Sequence, residues 1–197
     1  MTRLAAAALT LVALGAPARA AGASAPLITP NGIGALRLGQ GERTAGAVLR
    51  RAGLRPYPSR RVTIRPGVEY VEREYRRTPA DVHYVVGFQG ARGARRVVFV
   101  GTFLERLRTP EGARVGISER RLRGIYGDRL QCRPFAASGT AFIGRTCRLG
   151  DARRRHLVFL FPPRGCAAVY EGCVSRRIRS RVLRIVVRGA GIRIPPI

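Results

Sequence analysis

A Thr-Pro-x-Gly turn followed by a Gly-x-x-Glu-Arg helix start occurs twice in this chain, and that duplication limits the fold more than any other feature. The first copy runs from Thr29-Pro30-Asn31-Gly32 to Gly39-Gln40-Gly41-Glu42-Arg43. The second runs from Thr109-Pro110-Glu111-Gly112 to Gly116-Ile117-Ser118-Glu119-Arg120. Aligning Gly39 with Gly116 places Glu42 on Glu119, Ala45 on Leu122 and Val48 on Ile125, with the first copy longer between its turn and its helix. A repeat of this length predicts two related units sharing one scaffold.

Each copy reads as a short helix and then strands. In the first, Ala45, Val48, Leu49 and Ala52 fall on one helical face, and Gly53 ends the helix. Pro56 and Pro58 forbid its continuation. Strands are expected at Arg61–Ile64, Val68–Arg76, Val82–Phe88 and Arg95–Thr102, the last two forming a hairpin around the Gly-rich turn 89–93. In the second, Ser118 is the expected N-cap, Ile117 packs on Leu122 as a hydrophobic staple, and Leu122, Ile125 and Tyr126 form the buried face before Gly127. Strands are expected at Leu130–Phe135, Ala141–Arg148, Arg154–Phe161 and Arg181–Arg188. Alternation in the last points Leu183, Ile185 and Val187 at a core and Arg184 and Arg188 at water. The expected fold class is α+β: two units, each a helical element followed by an antiparallel meander, with the helices on one sheet face.

The N-terminus carries an export signal: Arg3, an apolar run from Leu4 to Leu14, and the A-x-A site Ala18-Arg19-Ala20. The run is too short for a membrane span, which needs about 20 residues. Residues 1–20 are therefore read as a cleaved signal, 21–26 as a linker, 27–105 and 106–190 as the two repeats, and 191–197 as a tail. No second apolar stretch is long enough to span a bilayer, so the expected product is soluble and secreted or extracytoplasmic.

In such a compartment the 4 cysteines predict disulfides. A hairpin folded at Ser138-Gly139 sets Cys132 opposite Cys147, and Cys166 and Cys173 can close a short local loop. Zinc lacks support because no C-x-x-C spacing is present. The chain carries 37 basic residues against 11 acidic, a net charge of +26, and every basic residue is Arg. Absence of Lys is what a GC-rich genome produces; scarcity of acids is not explained that way. Whatever its origin, such a field attracts polyanions. The densest clusters are Arg153-Arg154-Arg155 and Arg176, Arg177 and Arg179, extended by Arg184 and Arg188. They form one anion-binding face if their strands are neighbours, since guanidinium groups suit bidentate carboxylate or phosphate contacts.

The Gly32–Gly39 segment, Gly-Ile-Gly-Ala-Leu-Arg-Leu-Gly ahead of a short helix, resembles the opening of domains in the β-lactamase-inhibitory-protein-like superfamily, which includes the SmpA/OmlA/BamE envelope proteins. The resemblance spans Leu27 to about Gly189 and implies a secreted or envelope binding scaffold without catalysis. This chain departs from it in lacking a lipidated Cys and in having no Trp, so no functional residue is carried over.

Catalytic motifs are missing: no G-x-S-x-G, H-E-x-x-H or phosphate-binding loop occurs. His83, near Asp81, and His156 both fall in expected strands; Glu72 and Glu74 share a strand face beside Arg73, Arg76 and Arg77 and read as surface ion pairs. The turn Gly90–Gly93 could hold an anion through its amides but reads first as a hairpin loop. No enzyme, cofactor or metal is expected. The sequence points to a non-catalytic binding or inhibitory module for an extracellular or envelope partner, protein or polyanion, with nucleic acid disfavoured. A structural envelope protein and an exported hydrolase stand as alternatives.

Overall fold

The computed structural model describes residues 27–65, 68–136, 143–161 and 181–190. Residues 1–26, read above as signal and linker, residues 191–197, read as a tail, and Cys166, Cys173, Arg176, Arg177 and Arg179 lie outside them. The first half comprises β1 (Ile28–Thr29), β2 (Gly32–Ile33), β3 (Leu36–Arg37), α1 (Glu42–Arg51), β4 (Arg55–Pro56), β5 (Arg60–Arg65), β6 (Val68–Arg76), β7 (Val82–Gln89) and β8 (Arg96–Thr102). The second comprises α2 (Glu119–Tyr126), β9 (Leu130–Ala136), β10 (Ile143–Leu149), β11 (His156–Phe161) and β12 (Arg184–Arg188).

The expected α+β class is what forms. β1–β3 make a small sheet, and the other strands form one antiparallel sheet in the order β4-β6-β7-β8-β12-β11-β10-β9, with β5 also on β6. The two meanders therefore join through their last strands, β8 and β12, where Val100 faces Val187 and Gly101 faces Val186.

Both helices stop and start for local reasons. α1 ends in a Schellman arrangement: the Leu54 amide donates to the Leu49 carbonyl and the Gly53 amide to Arg50, with Gly53 at φ +76°. Ser118 Oγ accepts from the Arg121 amide at 3.2 Å and so caps α2. Ala45 and Leu49 of α1 and Leu122 and Tyr126 of α2 are buried with Tyr75, Phe88, Phe159, Ile185 and Val187 in the main core. Ala52, expected on the same stripe, is exposed because the helix has already ended at Arg51.

The duplicated segments make duplicated bonds. The Gly39 amide donates to Val97 and the Val97 amide to Gln40; the Gly116 amide donates to Val182 and the Val182 amide to Ile117, all at 2.8 Å. Each helix then sends its first-turn carboxylate to an arginine of its own meander, Glu42 to Arg73 at 3.0 Å and Glu119 to Arg145 at 2.8 Å. The two turns lie side by side, with the Ile28 amide donating to the Arg108 carbonyl at 2.8 Å.

A second, smaller core occupies the opposite sheet face: Tyr70, Val85, Phe99, Val158, Leu160 and Val186. It corrects the reading of β12. Arg184, expected at water, is 2% exposed, while Leu183, expected in the core, is 37% exposed. The alternation was interpreted for a strand with one wet face, but β12 lies mid-sheet between β8 and β11 and is covered on both. Leu183 precedes the strand, so alternation does not govern it. Glu72 is corrected likewise: its ion pair is not superficial, because the carboxylate is 4% exposed.

Candidate anion-binding face

The Cys132–Cys147 disulfide forms across directly paired residues of β9 and β10. Both cysteines belong to the main core, so strand alternation sends Gln131, Arg133, Thr146 and Arg148 to the opposite face. There Arg148 Nη2 donates to Gln131 Oε1, while its Nε is buried and has no hydrogen-bond partner. Arg129, Gln131, Arg148, Leu149, Gly150 and Asp151 line a cleft of about 450 Å³. Arg153, Arg154 and Arg155 follow immediately and are exposed. The Arg155 head donates to Asn31 Oδ1 at 2.8 Å, joining the first copy's turn to the arginine run of the second.

The same face continues inward as a buried polar patch. Cross-strand pairing runs Glu72, Gly87, Phe99, Arg188, His156 through successive strands. One step along, the Arg184 side chain lies flat across Gly101, where an added Cβ would meet its Nε at 2.7 Å, and its guanidinium sits 5.6 Å from the Phe103 ring. Glu72 Oε1 accepts from Arg60 Nε at 2.9 Å, but Oε2 is buried without a donor. Arg184 Nε and Nη1 and Arg188 Nε are buried without an acceptor.

Burial dominates the electrostatics. It lowers Arg184 and Arg188 to about 10, against Glu72 for Arg184 and reinforced by Arg184 for Arg188. It raises the Tyr70 phenol to about 12, with Glu72 adding to the shift. It also holds His156 below its ordinary 6.5, opposed by a bond to the Arg154 carbonyl and helped by Arg188 and Arg148.

The histidine shift has a measurable consequence. As pH falls through 6.5 the unfolded chain takes up the His156 proton before the folded one does. Stability is then lost progressively until the lower folded value is passed. His156→Gln should flatten the slope of unfolding free energy against pH in that window. An unaltered slope would remove His156 from the pH response.

The expected site residues are thus partly gathered. β11 and β12 are neighbours, which brings Arg153–Arg155 and Arg188 to one end of the strand pair; Arg184 lies further in, and Arg181 at the far end donates to the Gly116 carbonyl. Arg129, Arg133 and Arg148 were not anticipated. The legible signal was Cys147: once it is committed to the core, its neighbour Arg148 must face the other way.

The catalytic candidates remain sparse. His83 Nε2 pairs with Asp81, and its carbonyl, not its ring, accepts from Thr102. Among the described residues, no hydroxyl or thiol bonds to either histidine ring. Glu119 lies near both sulfurs, but these are tied in the disulfide and its carboxylate is held by Arg123 and Arg145.

Fold and face together define a duplicated α+β protein with an arginine-bearing sheet face. No family model and no curated protein matches the chain. Among solved structures it is similar to the uncharacterized protein YfeY from Escherichia coli, at 16% identity and a TM-score of 0.43, over 73% of this chain and 87% of that one. A likeness this loose carries no functional argument. No described helix is long and apolar enough to cross a membrane.

Proposed function

We propose that this chain is a non-catalytic binding or inhibitory module whose second half presents arginines to an anionic macromolecule outside the cytoplasm. The observation that carries the reading is the cleft beside the disulfide hairpin, which Arg129 and Arg148 line and where Arg148 keeps a buried guanidinium nitrogen without a partner. Such groups are costly unless something accepts from them. The first half balances its charge on this side, pairing Arg60 with Glu72 and Arg76 with Glu74. The resemblance of Gly32–Gly39 to the inhibitory-protein-like scaffolds supports a binding role, and the signal-like residues 1–20 support export.

The outer part of the face, the cleft lined by Arg129 and Arg148 together with Arg133 on the same strand face and the exposed run Arg153–Arg155, is the surface a polymer would meet. Binding of polygalacturonate or polyglutamate should weaken steeply as salt rises. Each of Arg129→Gln, Arg133→Gln and Arg148→Gln should lower the slope of log affinity against log salt by about 1. Salt-independent binding, or a triple variant that binds as the parent does, would remove the arginine face. Absence of binding to any anionic polymer would favour the structural envelope role.

A further inference from the structure

The outer arginines explain attraction to a polymer; they do not explain Arg184, which no polymer chain lying on the surface could touch. Its guanidinium is placed with care by the fold. Gly101 is the residue that leaves room for it, since an alanine Cβ there would stand 2.7 Å from Nε. Phe103 backs it on one side, and Arg188 follows one turn of the strand pleat beyond Val186 on the same face.

The patch is unbalanced in two complementary ways. Arg184 and Arg188 have donors with no acceptor, and Glu72 Oε2 is an acceptor with no donor. These needs are not met by one another. β7 and β8 stand between Glu72 on β6 and Arg184 on β12, three strand steps of about 4.8 Å each. Reaching over Gly101 closes only part of that span. Arg60 already occupies Glu72 Oε1 through Nε and Nη2, at 2.9 and 2.8 Å. Arg184 and Arg188 therefore share an apolar sheet face with Glu72, among Val85, Phe99 and Val186, without closing on its carboxylate. A group that completes the patch must offer oxygen acceptors with negative charge to the arginines and a hydroxyl to Glu72. Arg60, 61% exposed, connects the patch to solvent at the sheet edge.

We infer that Glu72, Arg184 and Arg188 form a buried binding site for one hydroxylated oxyanion, such as a sugar acid or a polyol phosphate. The inference rests on the anion-binding reading and gives it a specific inner contact: the terminal or branching unit of an acidic polymer.

The test is calorimetric titration of the full chain with galacturonate and with glycerol phosphate, using acetate and glycerol as probes that each lack half of the chemistry. Either hydroxylated anion should bind saturably, with acetate and glycerol weaker by tenfold or more, on the order expected when a buried polar group loses its partner. Binding of galacturonate alone assigns sugar acids, and binding of glycerol phosphate alone assigns polyol phosphates. Arg184→Met should abolish binding while keeping or raising Tm, because an unpaired buried cation is often better replaced by an apolar side chain. Should that variant not fold, Arg188→Met and Glu72→Gln carry the same expectation of weakened binding. No saturable binding by either anion, or unchanged binding in the variants, would overturn the site and leave water as the bridge. Polygalacturonate binding retained in that case would leave the outer face standing; small-anion binding without polymer binding would do the reverse.

Discussion

Gly87→Ala is expected to destabilise the protein by about 1–3 kcal/mol or more, as overpacking of a filled core does. An added Cβ would stand 2.0 Å from Cε1 and 2.2 Å from Cδ1 of Phe99. The ring has no free space to yield, since Phe99 is fully buried and meets the Tyr70 ring edge-on at 5.3 Å. A bulge next to this contact, between Gly87 and Phe88 in the β7–β8 register, further commits Phe99 to its side of the sheet. Gly124→Ala is the matched control: that position lies in α2, is exposed, and has nothing within 4 Å of an added Cβ. It should gain about 0.5–1 kcal/mol from helix propensity alone. Denaturant midpoints would read both. Equal shifts in the two variants would mean that the Phe99 wedge is not built as described.

Loss of the Cys132–Cys147 disulfide should cost about 3 kcal/mol, from the loop-closure entropy restored to an unfolded chain across a separation of 15 residues. The bond also sits against α2, where Glu119 reaches Arg145 on the neighbouring strand. Cys147 is fully buried, so serine there would add an uncompensated hydroxyl. Unfolding of the parent with and without reductant, and of Cys132→Ser/Cys147→Ser, separates the contributions. The double variant should begin near the reduced parent, and any remaining response to reductant would report on Cys166 and Cys173. A loss below about 0.5 kcal/mol would show that the paired strands already hold the reduced chain together.

Much of the fold was legible because its determinants are local. Ser118 caps α2 through its own hydroxyl three residues from the amide it serves, and Gly53 closes α1 through bonds confined to the last turn. The Val82–Phe88 hairpin and the Cys132–Cys147 pairing follow from turn position and alternation, both properties of short segments. The site was legible only in part. Arg153–Arg155 could be seen as a run, but Arg129 and Arg148 are distant in sequence and line one cleft only because β9 and β10 pair. Glu72 looked like half of a surface pair because nothing in β6 reveals that β5, β7 and the second core cover it.

By itself the sequence determined the duplicated helix-plus-meander unit, its caps, its turns and one disulfide, since each depends on residues within a few positions or across one hairpin. Only the tertiary structure decided that the two meanders join through β8 and β12. That junction turned Arg184 from a solvent-facing charge into a buried one lying over Gly101. The physical reason is that alternation tells which residues share a face but not what covers that face. Burial is conferred by neighbours distant in sequence, and for Arg184 the decisive neighbour is a glycine on another repeat.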